Sequence, residues 1–371
     1  MKKVLSVMMA GVMAVGLTAC GGQQTAETTA AKQTAQETEK QETPAAETEK
    51  QAAAEEQTDT LVVYTSASTS EYELIVNLFK EKYPDINVEV VSAGTGELSS
   101  RIVAEAANPA GDVLMGGGTS TYEGILDYLE PYTTENLDMI FPEFKPSSDS
   151  WTPCYINVNS IIINNALAKE LGVTVDGWQS LTDEKLKGRI AFADPSASAS
   201  ALEQLVNMLT AMSGTDSPDG GWDFAAQFLK NLDGKISSSS SACYKGVVEG
   251  EYTVGLTNED KAISYIAAGA DVSVAYPKEG ITLRTSNIGI IKGGANSYNA
   301  KLFVDFVTSK DCQTQMEAQL YVRPVRTDVP MTTEGRVETK DLVSLPYPAE
   351  WATENSDQIK VQFQDTWTSL D

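Results

Sequence analysis

Three times between residues 61 and 125 a short apolar run meets a turn of Ser, Thr and Gly, and a helical apolar pattern follows. Leu61-Val62-Val63-Tyr64 leads into Thr65-Ser66-Ala67-Ser68-Thr69, after which Leu74, Ile75, Leu78 and Phe79 recur at helix spacing. Ile86 to Val91 leads into Ala93-Gly94-Thr95-Gly96, then Leu98, Ile102 and Val103. Asp112 to Met115 leads into Gly117-Gly118-Thr119-Ser120 and a further helix. Short continuous apolar runs suit strands buried on both faces, and the spacing near 3.6 suits helices covering them. The alternation predicts an α/β fold, a sheet of parallel strands with crossover helices.

A second region repeats the plan. Ile190 to Ala193 precedes Asp194-Pro195 and then Ser196, Ser198 and Ser200, which open a long amphipathic helix. Ser237 to Ser241 start another helix, a strand is expected over Tyr252 to Leu256, and a third ends at Pro277-Lys278-Glu279-Gly280. Ile156 to Asn164 carries the chain across to this region, and the strand and long helix after Thr285 are assigned back to the first. The expectation is a two-lobed hinged clamp, each lobe a mostly parallel sheet flanked by helices. Lobe 1 takes 59–154 and 284–321, lobe 2 takes 155–283 and 322–371, and the hinge lies near Tyr155 and Leu283. Residues after about 327 receive no role.

The N-terminus places the chain outside the cytoplasm. Lys2 and Lys3 precede an apolar run too short to span a bilayer, and Leu17-Thr18-Ala19-Cys20 closes it. This resembles the lipobox of bacterial lipoproteins, which implies cleavage after residue 19 and lipid on Cys20. Residues 21–58 are Ala, Thr, Gln and Glu with a few Lys and hold no aromatic or branched aliphatic side chain. Such a segment cannot bury enough apolar area to offset its ordering entropy, so a flexible tether is expected.

Charge and composition exclude several functions. Twenty-seven Lys and Arg against 52 Asp and Glu give a net charge of −25, which argues against nucleic acid as a partner. A chain with no His has no His-assisted Ser or Cys triad, His zinc site or His general base. Cys154, Cys243 and Cys312 match no metal spacing and read as buried thiols. No cofactor is expected.

In parallel sheets, ligands collect outside the carboxyl ends of the strands. One Ser/Thr turn there would only cap its helix; three on one edge would line a cleft with donors. The stretches LVVYTSASTSE, SAGTGELSSRI, LKGRIAFADPSASASA, VVEGEYTVGLTNEDKA, YPKEGI and AKLFVDFVTSKDCQ carry a resemblance over nearly all of residues 60–330. They are similar to extracellular solute-binding proteins of ABC importers, in the branch holding ferric-iron, phosphonate and hexose-phosphate binders. The resemblance implies the type II periplasmic-binding-protein fold, a monomer, and an ABC permease with its ATPase as partner. It also implies that Ser66, Ser68, Thr95, Thr119, Ser198 and Ser200 donate to ligand oxygens while Asp260 and Glu279 hold the other end. The alternative for Glu259 and Asp260 is that Asn258 caps a helix and both acids favour its positive end.

Two departures bear on the ligand. Ferric-iron members resemble one another in an adjacent tyrosine pair where this chain has Glu259-Asp260, and Ser198-Ala199-Ser200 stands where phosphoryl binders have a Ser-Gly-Ser or Ser-Gly-Thr turn. The expected solute is an organophosphonate or phosphorylated sugar. Ferric iron is the alternative, held by scattered tyrosines and carboxylates. A surface enzyme acting on phosphate esters, with carboxylate or Ser catalysts, is the alternative of another class.

Overall fold

The computed structural model describes residues 58–333 and 335–370. The leader, Cys20 and most of the tether lie outside the described residues. In chain order the strands and α-helices are β1 (Thr60–Thr65), α1 (Thr69–Lys82), β2 (Asn87–Ser92), α2 (Thr95–Ala104), β3 (Val113–Met115), α3 (Thr119–Glu123) and β4 (Leu129–Glu130). Then come β5 (Thr152–Asn164), α4 (Asn165–Leu171), β6 (Ile190–Ala191), α5 (Ala199–Met212), α6 (Trp222–Asn231), α7 (Ser240–Val248), β7 (Val254–Asn258), α8 (Glu259–Ala267) and β8 (Val272–Ala275). The last part holds β9 (Ile281–Ile291), α9 (Ser297–Val307), α10 (Lys310–Leu320), β10 (Arg323–Pro324), β11 (Ser344–Leu345), α11 (Ala349–Glu354) and α12 (Ser356–Thr368).

The main strand order is β2-β1-β3-β9-β5-β7-β6. β2, β1 and β3 pair in parallel, as do β6 and β7. The long strands β5 and β9 run antiparallel to each other and to their other neighbours, β7 and β3. The lobes are therefore mixed sheets, against the expectation of mostly parallel ones. The antiparallel members are the crossing strands, whose pairing depends on contacts distant in sequence.

The cores follow the pattern. Leu61 and Val63 face Ile75, Phe79, Ile288, Phe303 and Val304. Tyr64 points to the other face, into a cluster with Leu98, Ile102, Tyr122 and Trp151. Phe79 meets Phe303 and Phe306 edge-on at 5.0 and 5.4 Å. A second core gathers Ile161, Ile162, Trp178, Ile190, Phe192, Leu205, Phe228, Val254 and Leu256. Each such side chain contributes about 1.5–3 kcal/mol on burial.

The chain beyond residue 341 is built into this frame. β11 pairs in parallel with the start of β9, Ser344 beside Ile281 and Leu345 beside Thr282. α11 rests against α3, and α12 packs on α6. Phe363 is fully buried beside Phe192, with ring centroids 6.3 Å apart. Among the described residues, no helix is long and apolar enough to cross a membrane.

Candidate functional site

The registers Thr65↔Ser92 and Thr65↔Met115 bring the ends of β1, β2 and β3 to one edge. Two glycines let their turns converge. Gly116 and Gly117 have φ of +99° and +82°. A Cβ at Gly116 would lie 2.6 Å from Ser66 Oγ, and one at Gly117 would lie 2.9 Å from Thr95 Cγ2. Glycine is thus required twice over, by backbone conformation and by space.

Capping differs between the two sides of the cleft. α1, α2 and α3 begin at Ser68, Gly94 and Gly118, and none of these N-cap residues makes a side-chain cap bond. The first-turn N–H groups of α1 and α2 are left to other partners, with the positive end of the helix dipole behind them. In the second lobe, Ser198 caps α5, its Oγ accepting from Ala201 N–H at 3.3 Å. Ser239 caps α7 in the same way, at 3.4 Å. Ser200 Oγ accepts from Gln204 Nε2 at 3.3 Å. The capping reading therefore describes Ser198, whose hydroxyl hydrogen remains available to a ligand. It does not describe the first-lobe turns.

The two acids on the β7–α8 join have different fates. Glu259 is buried, and its carboxylate accepts from Arg323 Nε and Nη2 at 2.8 and 2.7 Å and from Arg336 Nη2 at 3.0 Å. Tyr276 OH completes the group. Burial works to raise this carboxyl, but the two guanidiniums hold it below the ordinary range. Glu259 is neither a ligand group nor a simple dipole partner. It is the centre of a buried ion cluster, and Asn258 makes no side-chain cap bond. Asp260 is half-buried and pairs with Lys261 Nζ at 2.6 Å. Its charge acts on Glu71 and Tyr155. Burial, with Asp260 adding to it, pushes the Glu71 carboxyl up.

Glu279 has partners within the protein. Its two carboxylate oxygens accept from Trp178 N–H at 2.9 Å and Gln179 N–H at 3.1 Å. A Cβ at Gly177 would lie 2.0 Å from Glu279 Oε2, so the acid is packed against that turn. Both oxygens serve as a cap on a segment about a hundred residues upstream, which is why sequence spacing could not reveal the role.

A cavity of ≈ 760 Å³ lies where the turns, the crossing strands and the C-terminal segment meet. Thr95 and Thr119 line it, whereas Ser66, Ser68, Ser198, Ser200, Asp260 and Glu279 are not among its lining residues. Lining residues that sequence reasoning missed are Lys145, Glu203, Arg284 and Tyr347. Arg284, on β9, forms a two-bond ion pair with Glu203 on α5. The guanidinium also lies 5.2 Å from the centre of the Tyr347 ring. Arg284 as the single charged residue of the strand Ile281 to Ile291 was the available signal.

A two-lobed α/β clamp with a polar cleft at its crossing strands is a type II periplasmic binding protein. The chain belongs to the bacterial extracellular solute-binding proteins, whose family model matches residues 75–341, and it is a substrate-binding protein of an ABC transporter. An uncharacterised protein of Haemophilus influenzae is 29% identical over 264 residues, 68% of this chain and 74% of that one. A periplasmic protein of Salmonella typhimurium, named provisionally for 2-aminoethylphosphonate binding, is 25% identical over 258 residues with the same coverage, 68% and 74%. Among solved structures, the periplasmic binding protein AfuA from Actinobacillus pleuropneumoniae, with exogenous fructose-6-phosphate bound, superposes with a TM-score of 0.68. It is 27% identical, and the match covers 84% of this chain and 99% of that one.

Proposed function

We propose that the chain captures an organic oxyanion, an organophosphonate or a phosphorylated sugar, between its lobes and delivers it to an ABC permease. The observation that carries this reading is the convergence of the Ser66, Thr95 and Gly117 turns at one sheet edge, with the starts of α1 and α2 left uncapped by their own side chains. N–H groups at helix starts together with hydroxyls suit a phosphoryl group and need no Lys, which fits a chain of charge −25. Thr95 and Thr119 donate from the cavity wall. Ser66 and Ser68 of the first lobe and Ser198 and Ser200 of the second, which do not line that cavity, add donors to the phosphoryl end, and Asp260 takes one hydroxyl or amine group of the solute. Related proteins named for 2-aminoethylphosphonate or solved with fructose-6-phosphate support the class. We further propose that lipid on Cys20 holds the monomeric protein at the outer face of the cell membrane.

Thermal unfolding with 2-aminoethylphosphonate, hexose phosphates, inorganic phosphate and ferric citrate tests the solute. A ligand at a hundred times its Kd stabilises by about 2.7 kcal/mol. Stabilisation by ferric citrate alone would replace this reading with the iron one. Replacing Ser198 and Ser200 together by Ala should weaken the bound oxyanion at least about tenfold, with a stability loss of about 1 kcal/mol from the lost cap. Unchanged affinity would leave Ser198 as a cap only.

A further inference from the structure

The family match ends at residue 341, yet Ser344 to Tyr347 and Ala349 line the cavity. This segment is held at several points. β11 hydrogen-bonds to β9 at Ile281 and Thr282, beside the cavity residues Leu283 to Thr285. Pro346 and Tyr347 follow, α11 rests on α3 of the first lobe, and Phe363 of α12 is locked in the second core. The segment thus touches both lobes at the cleft, and Tyr347 is its residue that contacts the charged floor. A guanidinium has five N–H groups. Glu203 engages one on each terminal nitrogen of Arg284, so donors remain. The Tyr347 ring, 5.2 Å away, covers the same guanidinium. A planar cation held by a carboxylate and an aromatic ring is fixed in orientation.

We propose that residues 344–349 form a further wall of the solute site and that Tyr347 is a specificity-determining residue, fixing Arg284 against Glu203 so that its remaining donors meet the organic part of the solute. The proposal rests on the cavity being the solute site. The phosphoryl end is met by the glycine and threonine turns of the first lobe. The rest of the solute lies towards Arg284 and Tyr347, where its hydroxyl or amine groups meet Glu203 and Arg284 and its carbon skeleton meets the ring. A solute with no organic part would ignore this wall.

The test measures Kd for inorganic phosphate, 2-aminoethylphosphonate, fructose 6-phosphate, glucose 6-phosphate and ferric citrate with the parent chain, Tyr347→Ala and Tyr347→Phe. The unliganded melting temperature of each is the control for folding. Tyr347→Ala should weaken the preferred organic oxyanion at least about tenfold while changing inorganic phosphate by less than about threefold, so that selectivity between them collapses. Tyr347→Phe keeps the ring and should retain most of the selectivity. If the parent binds an organic oxyanion and Tyr347→Ala binds it within threefold of the parent, this wall has no part in recognition, while the solute reading stands. Equal losses for inorganic phosphate and the organic solutes would show a structural role and also overturn the proposal. If the parent binds only ferric citrate, or nothing in the panel, the oxyanion reading and this one fall together.

Discussion

Arg323 and Glu259 face each other as a two-bond ion pair whose side chains are 0% and 3% exposed. The pair ties the first residue of α8 to β10, and Arg336 brings a later segment to the same carboxylate while also binding Glu317 at 3.0 Å. Removing one partner of such a pair leaves an uncompensated buried charge, which costs roughly 3–5 kcal/mol. Arg323→Met should therefore lower the denaturation midpoint strongly. Urea unfolding of the parent and the variant, with equal slopes, measures the difference. A loss below about 1 kcal/mol would mean that water reaches the cluster.

The same carboxylate gives stability a pH dependence of known sign. Folded Glu259 titrates below the ordinary 4.5, so the unfolded chain binds more protons in that window. Its contribution is complete above about 4.5 and is lost as pH falls towards the lower folded value. Glu71 acts in the opposite sense. Its folded carboxyl titrates above 4.5, so ionising it as pH rises through that value removes stability. Glu71→Gln should raise the melting temperature at pH 7 relative to the parent and narrow that gain at pH 4. Melting curves across pH 3–8 check this, and a gain that grows towards acid pH would reverse the assignment.

Gly117 tests the convergence of the turns. Its φ of +82° and the 2.9 Å approach of a Cβ to Thr95 Cγ2 make Gly117→Ala both strained and obstructive. The left-handed conformation alone costs roughly 1–2 kcal/mol. The expected outcome is a stability loss of about that size together with weaker solute binding, because Thr95 is displaced. Calorimetric titration of the variant separates the two effects. Full affinity in a destabilised variant would detach Thr95 from the site.

Asp260 and Glu279 should part company. Glu279→Gln leaves one carboxamide oxygen for the N–H groups of Trp178 and Gln179 and should lower stability by about 1 kcal/mol with solute affinity unchanged. Asp260→Asn should spare stability and weaken the solute. Parallel unfolding and binding measurements on both variants decide the matter. A loss of affinity confined to Glu279→Gln would return that acid to the ligand set.

The elements legible in the sequence were those specified locally. β1, β2 and β3, with the turns after them, announce themselves through apolar runs and small residues within about ten positions of one another. What sequence reasoning missed was non-local. Glu259 meets partners 64 and 77 residues downstream, and Glu279 caps a turn 101 residues upstream of itself. Each acid looks the same in sequence whether it awaits a solute or an arginine. The mixed character of the sheet escaped for the same reason, since the antiparallel pairing of β5 and β9 with each other and with β7 and β3 makes it so. The C-terminal segment showed no strong periodicity, and its position beside Arg284 depends on two residues of β11 added to an edge.

The three thiols in the described residues are free and buried, and burial pushes Cys243 up to about 11, Cys312 to about 12 and Cys154 well above the ordinary thiol range. At neutral pH they carry almost no thiolate, the form that reacts with alkylating dyes. A cysteine placed at exposed Ser344, in the cavity lining, would then take up a fluorophore at one position once the Cys20 thiol is blocked as its lipid thioether or replaced. No native residue would need removal from either core. The protein is in this respect ready for use as a reagentless optical sensor, its signal set by occupancy of the cleft.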